Sequence, residues 1–156
     1  MMEQRINFLE KGAKGLKALN SLGMYINSCS IERPLQHLIH FRVSQINGCA
    51  FCLDMHAKDL RHEGETEQRL YMLNAWRESP CYTDRERAAL AWAEAVTRLS
   101  NQQVPDDVYE QARQQFSEEE LLDLTFSVIA INNYNRLNIA FKTKAGNYQP
   151  GQFANA

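Results

Sequence analysis

The stretch Phe41-Arg42-Val43-Ser44-Gln45-Ile46-Asn47-Gly48-Cys49-Ala50-Phe51-Cys52-Leu53-Asp54-Met55-His56 decides how this chain reads. Asn47-Gly48 ends one apolar-periodic segment, and a new helix is expected at or just after Cys49. Two cysteines three apart on a helix share a face and can form a disulfide after a small adjustment. In a first turn the unpaired N–H groups and the helix dipole favour the thiolate, lowering a pKa that otherwise lies near about 8.5. The thiolate is the nucleophile, so this placement is what a redox pair needs. His56 follows Cys52 by one turn on the same face, where it can hydrogen-bond the sulfur, accept its proton or hold a charge beside it. The competing reading makes Cys49 and Cys52 small buried hydrophobes and His56 a satisfied helix histidine. The pair at a helix start with a histidine one turn on favours chemistry.

Outward from this stretch, helical periodicity runs through nearly the whole chain. Before it, Pro34 suits the first turn of a helix that carries Leu35, Leu38, Ile39, Val43 and Ile46 on one face. An earlier helix spans about Leu9 to Ser28, weakened by Gly12, Gly15 and Gly23. After it, the cysteine helix runs to Gly64, and another from about Thr66 to Glu78 is stopped by Ser79-Pro80. Thr83-Asp84-Arg85-Glu86 reads as a capping box opening a helix through Val96. Val104-Pro105-Asp106-Asp107 starts a shorter one to about Phe116, and Ser117-Glu118-Glu119-Glu120 caps a last helix to about Phe141. The tail from Lys144 reads as irregular. The fold class is therefore all-α, with residues 1–156 expected to form one domain.

The last helix is apolar nearly all round from Leu121 to Ile131, so it should be central or buried by a second subunit. With the Trp76 and Trp92 surfaces, this implies a homo-oligomer. Seventeen Lys+Arg against nineteen Asp+Glu give a net charge of −2, leaving no basic excess for a nucleic-acid partner. Seven glycines and four prolines are too few for a turn-rich all-β fold. No apolar run approaches the roughly 18 residues of a membrane span, and the N-terminus lacks a signal-peptide core. Four cysteines are too few for a secreted disulfide scaffold. A cytoplasmic protein is expected, with no membrane and no cofactor.

Other candidates carry weaker signals. His37 and His40 lie three apart on the helix before the motif. His62, amid Arg61, Glu63 and Glu65, reads as a solvated helix end, and Cys29 and Cys81 as inert. Arg42, Ser44 and Gln45 could anchor the loop or a substrate.

The quoted stretch resembles the core motif of the AhpD-like alkylhydroperoxidases, within the carboxymuconolactone decarboxylase superfamily. Leu73-Asn74-Ala75-Trp76-Arg77-Glu78, the segment from Thr83 to Trp92, and Asn135-Arg136-Leu137-Asn138-Ile139-Ala140-Phe141 are similar to later parts of such proteins. The resemblance implies an all-helical fold assembled as a homotrimer or homohexamer. It implies reduction of a hydroperoxide substrate at the cysteine pair, recharged by a thiol or lipoyl-type reductant. It maps Cys52 as the attacking sulfur, Cys49 as the resolving one and His56 as the motif histidine. Helix-dipole reasoning by itself favours Cys49 as the attacking sulfur. The family pattern also places a glutamate twelve residues before the first cysteine, where this chain has His37, and a histidine where it has Phe51. His37 is the candidate substitute in the proton relay, since a near-neutral imidazole can accept and return a proton. Both departures point to weaker peroxidase activity or a different electrophile.

Alternatives stay open on the residues alone. Cys49, Cys52, His56 and either His37 or His40 are a possible Cys2His2 donor set for zinc. A general disulfide reductase without peroxidase activity, the lactone decarboxylation that names the superfamily, and a non-catalytic oligomeric scaffold are the other readings.

Overall fold

The computed structural model describes residues 3–153. Among them the chain is helical: α1 (Phe8–Lys11), α2 (Ala13–Asn27), α3 (Arg33–Asn47), α4 (Ala50–His62), α5 (Glu67–Met72), α6 (Asp84–Arg98), α7 (Asp106–Gln115) and α8 (Glu118–Phe141), with no strand among the described residues. Two short 3-10 turns, Leu73–Ala75 and Ser100–Gln102, complete the set. No helix is long and apolar enough to cross a membrane, among the described residues.

Local chemistry explains most of the boundaries. Pro34 sits in the first turn of α3, whose end is closed by Gly48 in the left-handed region at φ 71°. Both predicted capping boxes form, Thr83 with Glu86 on α6 and Ser117 with Glu120 on α8. Each satisfies two otherwise orphaned backbone donors.

Two boundaries differ from the sequence expectation. The first helix is broken at Gly12, giving α1 and α2 in place of one segment from Leu9 to Ser28. A Cβ at Gly12 would lie 2.7 Å from the Phe8 carbonyl oxygen, so the close turn there depends on glycine. The helix expected from Thr66 to Glu78 ends as an α-helix at Met72 and tightens into the 3-10 turn. That turn buries Leu73 and lets Asn74 Oδ1 accept a 2.8 Å hydrogen bond from Arg42. Tertiary contacts there override local periodicity.

The core lies between α3, α6 and α8, with Leu38, Ile39, Val43, Leu90, Leu124 and Val128 almost completely buried. Helix α8 packs on α2, α3, α4 and α6. Its apolar girdle is only half used: Leu121, Leu124, Val128 and Ile131 are buried, while Leu122, Phe126 and Ile129 remain exposed, Phe126 edge-on to Tyr25 of α2. The expectation about tryptophan is corrected. Trp76 and Trp92 are both buried within the chain, so they offer no surface for a second copy. Trp76 Nε1 donates to Glu94, and Trp92 Nε1 to Thr125.

A charged clamp holds α3 against α6. Glu94, 2% exposed, receives Arg42 at 2.7 Å, Trp76 at 2.9 Å and Arg77 at 2.7 Å. Burial alone would raise its carboxyl, but these hydrogen bonds outweigh burial and hold it below the ordinary carboxylate range. Arg42 is thus an anchor of the helix that leads into the cysteine motif.

Candidate active site

Cys49 is the N-cap of α4, and its sulfur accepts the Cys52 backbone N–H at 3.3 Å. The chain reaches this position through the left-handed Gly48, whose conformation lets α3 and α4 meet at a sharp corner. Both cysteines are buried, their Cα atoms are 5.3 Å apart, and their sulfurs are joined as a disulfide. Cys29 and Cys81 are free thiols, half-buried and outside the site.

Helix α8 closes the other side. Asn138 donates one amide hydrogen to the Tyr134 carbonyl at 2.9 Å and the other to Cys52 Sγ at 3.6 Å. One turn earlier, Asn135 is fully buried and donates to Ser44 Oγ, while its own Oδ1 accepts from Asn47. Asn47 also reaches Asn132. These amides tie the corner between α3 and α4 to α8, and Ser44 serves as an anchor within it. Asn132, Asn135 and Asn138, three apart along one side of a helix that follows an apolar run, were the sequence signal, since buried amides need dedicated partners.

Three imidazoles cluster between α3 and α4, the helices on either side of the cysteine corner. His40 and His56 ring centroids are 5.2 Å apart, His37 and His56 6.3 Å, and His37 and His40 6.5 Å. His40 Nε2 lies 2.8 Å from Ser127 Oγ on α8. His56 is buried, and neither of its ring nitrogens has a hydrogen-bond partner among the described residues. Leaving such groups unpaired costs about 1–3 kcal/mol each, a common price at a functional position. His37 lies at the edge, its Nδ1 2.9 Å from Glu63 Oε2. His62 is exposed at the end of α4, as expected.

The structure therefore brings Cys49, Cys52, His56 and His37 into one region, and adds His40, Asn138, Ser127 and Glu63. The zinc alternative gains no geometric support: among the described residues no three His, Cys, Asp or Glu side chains form a group able to hold a metal ion.

Burial disfavours charge on all three rings. It pushes His40 down to about 3, with a further push from His37. Burial, then His40 and His37, hold His56 well below the usual 6.5. An unfolded chain binds protons at these histidines below about pH 6.5, whereas the folded one resists until far lower pH. Folding stability should therefore be greatest above that pH and fall as pH drops from about 6.5 toward 3. His40→Asn should flatten this loss in urea melts across the window. An unchanged slope would contradict a buried neutral His40.

The chain matches the Carboxymuconolactone decarboxylase family over residues 13–95, a little over half its length. It is 42% identical to the uncharacterized protein YdfG of Bacillus subtilis, covering 92% of this chain and 98% of that one. A solved structure from Agrobacterium tumefaciens, ATU0492, is also 42% identical, with a TM-score of 0.89 over 94% of this chain and 100% of that one. ATU0492 is described as of unknown function and assigned provisionally to antioxidant defence as AhpD. The debrominase Bmp8 shares the fold at 21% identity and a TM-score of 0.78, covering 88% of this chain and 74% of its own. By the family match and these relatives, the chain belongs to the carboxymuconolactone decarboxylase family and is an AhpD-like member of it.

Proposed function

We propose that the protein is a thiol-dependent oxidoreductase that reduces hydroperoxides at Cys52, with Cys49 as the resolving thiol. The observation that carries this reading is the buried Cys49–Cys52 pair at the start of α4, with an otherwise unpartnered His56 one turn on. In the reduced protein, Cys52 gives its proton to the histidine cluster and attacks the terminal peroxide oxygen. An S–O bond forms as the O–O bond breaks, and the leaving alkoxide takes that proton to become the alcohol. Cys49 then attacks the sulfenic sulfur, the S–S bond forms, and the hydroxide leaves as water with the Cys49 proton. An external dithiol, of thiol or lipoyl type, reduces the disulfide and is itself oxidised.

The site's polar groups fit these steps. The Asn138 amide is placed to stabilise negative charge on Cys52 Sγ, and an imidazole one turn on is a residue type able to take the thiol proton. The exposed Leu122, Phe126 and Ile129 stripe supports self-association, as a homotrimer or homohexamer.

Consumption of cumene hydroperoxide by the reduced protein with excess dithiothreitol tests the reading. Turnover above the buffer background is expected. Asn138→Ala should slow it roughly tenfold, equivalent to about 1.4 kcal/mol of lost thiolate stabilisation. Wild-type consumption no faster than background would overturn the proposal.

A further inference from the structure

Beyond the end of α8, residues 143–153 double back along α4, the helix that begins with the cysteine pair. Lys142 ends α8 in the left-handed region, and the Thr143 N–H returns to the carbonyl of Asn138, whose side-chain amide meets Cys52 Sγ. The Gly146 N–H then donates to Asp54 Oδ2 at 2.9 Å, and Lys58 Nζ donates to the Gly146 and Tyr148 carbonyls at 3.0 and 3.1 Å. Asp54 and Lys58 are themselves paired, one turn apart, at 2.9 Å. The Tyr148 hydroxyl donates to Asp59 Oδ1 at 2.8 Å, and its buried ring stacks on Phe153. The segment thus runs from the cysteine end of α4 toward its far end. We propose that residues 143–153 are a strap that gates the Cys49–Cys52 bridge: while Asp54 and Lys58 hold it, an external dithiol reaches the bridge slowly, and its release opens the way. This gating presupposes the thiol-redox reading of the pair and is independent of what oxidises it.

Some part of the structure must move before the bridge is reduced. Cys49 and Cys52 are each 1% exposed, whereas an attacking thiolate has to touch one of the sulfurs. Three parts of the chain lie against α4: helix α3, helix α8 and the strap. Displacing α3 or α8 would expose the core around Leu38, Ile39, Leu124 and Val128, which approaches unfolding the chain. The strap is not helical, and Tyr148 is its one buried side chain. Its other ties are hydrogen bonds to the charged side chains of Asp54 and Lys58. Gly146 at φ 107° and Gly151 at φ 81° bend it in ways that other residues rarely follow. Segments with little buried apolar surface open at the lowest free energy, so the strap moves first.

With the strap released, the chemistry is ordinary thiol–disulfide exchange. One thiolate of the dithiol bonds to a bridge sulfur as the S–S bond breaks, and its second thiolate then displaces that mixed disulfide. The dithiol leaves oxidised, and its two protons end on Cys49 and Cys52. The strap takes no part in these bonds; it sets how often the sulfurs are reachable.

The assay starts from the full-length chain carrying Cys29→Ser and Cys81→Ser, oxidised so that the bridge is its one disulfide. Reduction by dithiothreitol is followed by alkylating the released thiols and weighing the protein. Two changes loosen the strap from opposite sides. Lys58→Ala removes both carbonyl contacts, whereas Gly146→Ala strains the backbone at φ 107° although its Cβ would meet no atom within 4 Å. Each should speed reduction roughly tenfold, the effect of losing a charge-assisted hydrogen bond or a comparable strain. Charge alone acts the other way for Lys58, because a lysine draws in an anionic thiolate and its loss would slow attack. Asp123→Ala is the control: its partners Tyr25 and Ser30 lie on neither α4 nor the strap. It should lower stability in urea melts and leave the reduction rate within about twofold of the parent. Two results would each overturn the gate: strap variants reduced no faster than the parent, or Asp123→Ala accelerated as much as they are, which makes global unfolding the route. Peroxide is absent from this assay. A gated bridge in a protein that ignores hydroperoxide would sink the peroxidase reading and leave the strap standing.

Discussion

Cys52→Ser should abolish the fast reaction of the reduced protein with a hydroperoxide, whereas Cys49→Ser should react once and stop. The attacking sulfur is missing in the first variant, and only the resolving sulfur in the second. Cys49→Ser should therefore accumulate a sulfenic acid, or a mixed disulfide with the added reductant, detectable by dimedone labelling. The assignment follows from what each sulfur meets. Cys52 stands one turn before His56 on α4 and accepts the Asn138 amide hydrogen at 3.6 Å, which favours charge on that sulfur. Cys49 has the Cys52 backbone N–H, the favourable first-turn donor that would suit an attacking thiolate in a thioredoxin-like arrangement. If Cys49→Ser fails to react while Cys52→Ser forms the trapped species, that arrangement holds and the roles are reversed.

The second large effect lies outside the site. Glu94→Gln should destabilise the fold by about 3–5 kcal/mol, because it leaves the buried Arg42 guanidinium without its counter-charge. At about 2–4 °C per kcal/mol for a chain of this size, the melting temperature should drop by roughly 10 °C. Arg42→Met together with Glu94→Leu should cost much less than either single change, since a buried ion pair replaced as a unit leaves no orphaned charge. Acid should mimic Glu94→Gln. The folded carboxyl titrates below its unfolded value, so its contribution is complete above the ordinary carboxylate range and is lost as pH falls through the folded pKa. Calorimetry of Glu94→Gln, the double variant and its two single changes decides the point: a Glu94→Gln loss below about 1 kcal/mol would contradict a clamp of this kind.

The readable parts of the fold were those governed by neighbours in sequence. Pro34, Gly48, Gly64 and the two capping boxes act on backbone within a turn of themselves, and they set the helix ends where expected. The breaks at Gly12 and Met72 depend on packing. Periodicity carries through both, but the Phe8 carbonyl closes on Gly12, and Arg42 draws Asn74 out of a regular helix. The tryptophans misled for a related reason. Large apolar side chains at helical spacing look like surplus surface until their indole N–H groups find buried acceptors on other helices.

The candidate site divides in the same way. Cys49, Cys52 and His56 share one helix, and His37 and His40 the one before it, so three- and four-residue spacings made both sets legible. Their partners come from afar. Asn138 and Ser127 lie on α8, far along the chain from the cysteines, and Glu63 meets His37 only because α3 and α4 fold back on each other at Gly48. A carboxylate at a helix end amid other charges reads as solvated, and nothing in the spacing marks it as the partner of a buried ring. The asparagines were within reach, since amides repeated every three residues on the side of a helix that packs inward must be satisfied by something across the interface.

The central claim is that oxidation is a local event between the two motif cysteines. Peptide mapping of the fully reduced protein after one equivalent of hydroperoxide tests it most directly. The account predicts a bridge between Cys49 and Cys52 within one chain, with Cys29 and Cys81 recovered as free thiols. A bridge between Cys29 and Cys81 as the main product, with Cys49 and Cys52 still reduced, would contradict it.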